Sequence, residues 1–150
     1  MRKFHILSFI VFLVSLSFAQ NNSSYSKPEY INLHPDSNLP FSDAVRVGNT
    51  LYLSGQIGFD SETGKLVEGG IEVETKKTLT NIKNVLEKLG SSLDNVVKCT
   101  VILADIKEWQ TMNNVYKTFF TDYPARTSFA ASGLALNARV EIECIAIIKD

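Results

Sequence analysis

The chain is poor in the residue types that build the commonest catalytic centres. His5 and His34 are its two histidines, and Cys99 and Cys144 its two cysteines. His5 lies in an apolar N-terminal stretch and His34 in a polar one, so a Ser-His-Asp triad or a histidine metal site has no base or ligand to start from. The cysteines stand in no metal or redox spacing. No phosphate loop, Gly-x-Gly-x-x-Gly stretch or Gly-x-Ser-x-Gly elbow occurs. Strong charge is missing too: the formal net charge is -1 over 150 residues. Lys76, Lys77, Lys83 and Lys88 are interleaved with Glu72, Glu74 and Glu87, as on a solvated helix face. No basic cluster marks a nucleic-acid or membrane face, so no nucleic-acid partner is expected.

A long hydrophobic run is also missing. Met1-Arg2-Lys3 is a short basic start, and Ile6 to Leu16 is apolar with interspersed serines. Ser17-Phe18-Ala19 then presents small residues before Gln20. That order is the pattern of a secretory signal peptide over residues 1–19, and the run is shorter than the roughly 20 residues of a spanning helix. Cleavage after Ala19 is the expectation, with export to the periplasm and no stable membrane span afterwards; a retained anchor is the alternative. Residues 20–38 are rich in Asn, Ser and Pro and read as a polar tether. Residues 39–150 then suffice for one domain with a modest core.

Within that domain, Ala44 to Val47 and Leu51 to Ser54 flank Gly48-Asn49, the pattern of a tight hairpin. Asp60 to Lys65 reads as a loop with Gly64 at its turn. Val73, Leu79, Ile82, Val85, Leu86 and Leu89 recur at helical spacing, and Gly90 follows as a stop. Val96 to Leu103 is β-branched and strand-like. Asp105 is placed to cap a second helical segment with Trp109, Met112, Tyr116, Phe119 and Phe120 on its apolar face, ended by Pro124. Thr127 to Ala131 and Val140 to Ile148 complete the strands. The order predicts an α+β domain, with two helices covering one face of a mixed sheet.

The second face of the last strand poses a problem. It carries Arg139, Glu141, Glu143, Ile145 and Ile147, and a monomer would leave the two isoleucines wet. Self-association would cover them. On the first face, Val140, Ile142, Cys144 and Ala146 alternate, as do Val97, Cys99, Val101 and Leu103 in the earlier strand. An exported chain offers the cysteines a disulfide; the alternation favours reading them as small core hydrophobes.

The candidates for chemistry are polar residues in apolar settings. Arg126 follows Tyr123-Pro124-Ala125 at a loop-to-strand junction. Its planar fork suits a carboxylate in two parallel hydrogen bonds, of a ligand or of a structural ion pair. Glu141 shares a strand face with Glu143. It either pairs at the surface with Arg139 or orients a water as a general base. At Ser54-Gly55-Gln56 a glycine lets a ligand approach backbone N–H groups, or simply forms a bulge. Asn113 and Tyr116 share a helix face. Phe41, after Pro40, packs against the domain or lines a pocket.

Taken together these segments resemble the Rid family, the reactive-intermediate deaminases also called the YjgF family. The resemblance runs from about Leu39 to Lys149. It rests on Tyr123-Pro-Ala-Arg-Thr-Ser through Val140-Glu-Ile-Glu-Cys-Ile-Ala, on Leu51-Tyr-Leu-Ser-Gly-Gln-Ile and on Val115-Tyr-Lys-Thr-Phe-Phe. It implies a chorismate-mutase-like α+β fold, a homotrimer and active sites between subunits. The implied activity is hydrolysis of 2-imino acids to 2-oxo acids and ammonia, without metal or organic cofactor. Arg126 matches the carboxylate-binding arginine and Glu141 the glutamate that positions water. Ser54, Gly55, Asn113 and Tyr116 match substrate-side positions. Two departures stand out: Phe41 replaces a tyrosine hydroxyl of the pocket wall, and Ser128 stands where many members carry cysteine. Phe41 favours an alternative, a non-catalytic protein that binds small carboxylates. The acidic balance and the leader count against the ribonuclease activity of some members.

Overall fold

The computed structural model describes residues 26–149, so the signal peptide assignment and the first part of the tether lie outside the described residues. Helical spacing of apolar residues dictates the longest element, α1 (Ile71–Lys88). It buries Ile71, Thr75, Thr78, Leu79, Ile82, Val85 and Leu86, one stripe three and four residues apart. The two threonines cost little there. Thr75 Oγ1 donates to the Ile71 carbonyl at 2.6 Å and Thr78 Oγ1 to that of Glu74 at 2.8 Å. Gly90 ends the helix as expected. At φ 75° it lets its own N–H reach the Glu87 carbonyl, while the Ser91 N–H reaches that of Leu86. This is a Schellman closure.

The strands are β1 (Glu29–Ile31), β2 (Ala44–Val47), β3 (Thr50–Leu53), β4 (Gln56–Ile57), β7 (Val96–Leu103), β8 (Ala125–Ala130) and β9 (Val140–Ile147). They form a seven-stranded sheet in the order β1-β2-β3-β9-β7-β8, with β4 pairing on β9 beyond β3. Only β7 and β8 run parallel, so the sheet is mixed. The short helix α2 (Trp109–Tyr116) is the crossover between them. Both helices lie on the face that buries Leu51, Leu53, Cys99, Val101, Leu103, Val140, Ile142 and Cys144. A small separate hairpin, β5 (Phe59–Asp60) with β6 (Lys65–Leu66), occupies the stretch read as a loop, and Gly64 turns it at φ 69°.

Other details also differ from the sequence reading. The tether contributes a strand: β1 pairs with β2, and the Asp43 carboxylate accepts the Leu33 N–H at 2.6 Å and contacts His34 Nδ1 at 3.2 Å. Ile31 and Leu33 also pack, partly buried, against the core, but a three-residue strand is too short to show a pattern in the sequence. In β7, a bulge between Val96 and Lys98 puts Val96 in the core and leaves Val97 exposed. The second helix stops at Tyr116, well before Pro124. The Val115 carbonyl accepts both the Thr118 N–H and its hydroxyl, which tightens the chain into a turn. Arg139 precedes β9, and its guanidinium pairs with Glu108 while its N–H donates to the buried Glu74 at 2.8 Å.

The face away from the helices is apolar along one line. Tyr30 stands opposite Val45, Val45 opposite Tyr52, and Tyr52 opposite Ile145. Tyr30 and Tyr52 are exposed.

Candidate functional site

Because β8 is an edge strand paired in parallel with β7, Arg126 stands opposite the core residue Cys99. The alternation of the strand then puts Arg126 and Ser128 on the helix side, while Thr127 and Phe129 turn to the open face. The Arg126 guanidinium lies over the Tyr116 ring, 4.6 Å from its centroid, and 5.8 Å from that of Trp109. Such cation–π contacts fix the fork while leaving its N–H groups free to donate. None of the ion pairs among the described residues involves Arg126. The structural-ion-pair alternative is therefore unfilled among the described residues.

Arg126 opens into a cleft of about 400 Å³, lined also by Trp109, Asn113, Tyr116, Tyr123 and Pro124. Asn113 and Tyr116 are buried in its wall, as their shared helix face requires. The hydroxyls of Tyr116 and Ser128 are buried without a hydrogen-bond partner among the described residues. Burial, and then the neighbouring Cys99 thiol, raise the Tyr116 pKa, so its phenol stays protonated at neutral pH. Trp109, expected on the apolar face of the helix, and Tyr123, expected only as part of a motif, both line the cleft. The signal was their aromatic character on either side of Arg126, three-dimensional neighbours only once α2 folds back over β8.

Glu141 belongs to a second group. It stands on β9 opposite Ile57 of β4, half-buried on the open side of the sheet. Its carboxylate lies against the Gly55 α-carbon so closely that a methyl group there would overlap it. Gly55 is thus a close-approach glycine, for the Glu141 side chain rather than for a ligand. Ser54 anchors the segment. Its hydroxyl donates to the Ser42 carbonyl at 2.6 Å and its N–H to that of Asp43 at 3.1 Å. Both Ser54 donors are engaged, so Ser54 offers a ligand only its oxygen. Phe41 adjoins Ser42 and is 54% exposed, which rules out simple core packing within this chain. The alternative pairing of Glu141 with Arg139 does not form, since Arg139 engages Glu108.

The sequence candidates therefore gather as two clusters. Arg126, Ser128, Asn113 and Tyr116 lie on the helix side at one sheet edge. Ser54, Gly55, Glu141 and Phe41 lie around the β3–β4 turn. Strand β7 intervenes, and Arg126 and Glu141 point to opposite faces of the sheet. Among the described residues, no three His, Cys, Asp or Glu side chains converge as metal ligands.

A sequence profile described as Endoribonuclease L-PSP matches residues 32–148. The chain belongs to that family, which is the Rid or YjgF family. The chain is 48% identical over 109 residues to a 2-iminobutanoate/2-iminopropanoate deaminase of Bos taurus, a match spanning 72% of this chain and 80% of that protein. A structure of a putative endoribonuclease L-PSP from Entamoeba histolytica superposes with TM-score 0.74 at 43% identity, covering 81% of this chain and 99% of the other. E. coli TdcF with bound serine superposes with TM-score 0.71 at 29% identity, covering 75% of this chain and 91% of that one.

Proposed function

We propose that this Rid protein hydrolyses 2-imino acids of the 2-iminobutanoate and 2-iminopropanoate type to 2-oxo acids and ammonia. The observation that carries the reading is Arg126, a cation seated on Tyr116 in an open cleft with no carboxylate partner among the described residues. The deaminase activity named for relatives 45% and 48% identical to the chain supports it, and TdcF holds an amino acid. In this mechanism Arg126 takes the substrate carboxylate in two parallel hydrogen bonds. A protonated imine is already electrophilic, so the protein mainly aligns it with a water. Glu141 takes a proton from that water as its oxygen bonds to the imine carbon and the C=N electrons move to nitrogen. Glu141 then returns that proton to the carbinolamine nitrogen, and ammonia leaves as the hydroxyl proton passes to the freed Glu141 carboxylate and on to solvent, which turns the carbinol carbon into the carbonyl of the 2-oxo acid.

The two clusters complete one site when Glu141 of one subunit faces Arg126 of the next. A ring in which one patch meets a different patch has this geometry, and a homotrimer of chorismate-mutase-like form is the closure we favour. The line of Tyr30, Val45, Tyr52 and Ile145 would be covered in the same assembly. The leader pattern places the protein in the periplasm in this proposal. Phe41, next to the Ser42–Ser54 contact, supplies an apolar wall for the substrate side chain. Purified protein is expected to accelerate loss of 2-iminobutanoate generated in place by an amino-acid oxidase, following release of 2-oxobutanoate. Tight carboxylate binding without any such acceleration would leave a non-catalytic binding protein instead.

A further inference from the structure

The proposed reaction makes no use of Cys99 and Cys144. They stand directly opposite each other on the antiparallel pair β7 and β9. Both are buried, at 0% and 2% exposure, and both are free thiols. Their sulfur atoms are 3.1 Å apart, although the residues are 45 apart in sequence. Residues opposed in this way have α-carbons about 4.5–5.5 Å apart, inside the range of about 4.4–6.8 Å that a disulfide spans. Closing the gap to a bond of about 2.05 Å asks for a sulfur movement of about 1 Å, which side-chain rotation supplies.

We propose that Cys99 and Cys144 form an intrachain disulfide when the chain folds in the presence of a disulfide oxidant, joining β7 to β9. One thiolate attacks the oxidant's S–S bond, forming a mixed disulfide and releasing one thiol. The second thiolate attacks the protein sulfur of that mixed disulfide, releasing the other thiol. Two protein thiols are oxidised, one oxidant disulfide is reduced, and the two protons leave with the released thiols. The sulfurs are closed off in the folded core, so the exchange belongs to folding, before β7 and β9 seal under the helices. The pair is also unsymmetrical. The hydrogen bond from Cys144, helped by the charges of Arg126 and Lys98, lowers the Cys99 pKa against its burial; the same bond and burial raise that of Cys144. The crosslink ties the strand that carries Glu141 to the strand that supports Arg126.

The test uses the reduced, denatured protein, refolded with oxidised and reduced glutathione and quenched in acid. After denaturation without reductant, N-ethylmaleimide is added and the intact mass is measured. The expected species carries no maleimide and is about 2 Da lighter than the reduced chain, with a Cys99–Cys144 peptide pair on digestion. Its thermal midpoint should exceed that of the reduced wild type by roughly 10 °C, because the crosslink closes a long loop in the unfolded chain. The Cys99→Ala/Cys144→Ala double variant should melt at one temperature with or without reductant. Two maleimides per chain, stable glutathione adducts or only chain-to-chain disulfides would overturn the proposal.

Discussion

Replacing Arg126 with alanine is expected to lower kcat/KM for 2-iminobutanoate by about 10²–10³-fold while the protein keeps its assembly and melting point. The magnitude follows from two charge-assisted hydrogen bonds, each worth roughly 1.5–3 kcal/mol, of which desolvation of the fork returns part. Each 1.36 kcal/mol of transition-state stabilisation is about a factor of ten. The fold should survive because Arg126 is half-buried at an edge strand and holds no ion pair among the described residues. Lysine at this position supplies the charge but not the fork, so Arg126→Lys should recover only part of the loss. Steady-state kinetics with a coupled oxidase, read beside size-exclusion elution, separate these outcomes. Wild-type kinetics in Arg126→Ala would remove the carboxylate role.

Gly55→Ala is expected to lower kcat by about 10²-fold, through Glu141 rather than through the backbone. Gly55 is not among the glycines at positive φ, so alanine fits its backbone. The added methyl would instead overlap the Glu141 carboxylate. That carboxylate ends a flexible side chain on a half-buried position, so it can swing away at small cost in stability. The swing moves the proposed base off the water. A thermal midpoint within a few degrees of wild type, with kcat reduced and KM little changed, is the pattern expected of a displaced base. Unchanged kcat would show that the Glu141 position is immaterial to turnover.

The parts of this fold legible in the sequence were those set by local rules. The apolar stripe from Ile71 to Leu86 and the Gly90 stop specify α1 within a few residues, since both act over one turn of helix. The alternation in Val140 to Ile147 specifies β9 and its two faces. Elements held by distant backbone contacts were not legible. Glu29–Ile31 docks through β2, the Asp43 carboxylate and the partly buried Ile31, and three residues are too short a run to announce a strand. The bulge at Val97 likewise depends on how β7 meets β9.

The candidate site divides along the same line. Arg126, Asn113 and Tyr116 were found singly, each from its local setting, and the structure brings them to one cleft. Glu141 and Gly55 were found singly and lie in contact. That these are two clusters on opposite faces follows from the parallel register of β7 with β8, which pairs Cys99 with Arg126 across the connection through α2. No spacing in the sequence encodes that register. Trp109 and Tyr123 are not legible as site residues for the same reason: their cleft exists only after α2 packs over β8.

The division of the site makes the central claim testable by mixing two inactive variants. Arg126→Ala and Glu141→Ala proteins, each alone, retain one intact cluster and should turn over little imine. Denatured together in equal amounts and refolded, they would form mixed assemblies of the proposed trimer, in which some Arg126 clusters face some Glu141 clusters. Random assembly is then expected to restore about a quarter of the wild-type rate of 2-iminobutanoate hydrolysis if each site draws its two halves from different subunits, as proposed. A mixture no more active than its components would contradict a site shared between subunits and, with it, this account of how Arg126 and Glu141 meet.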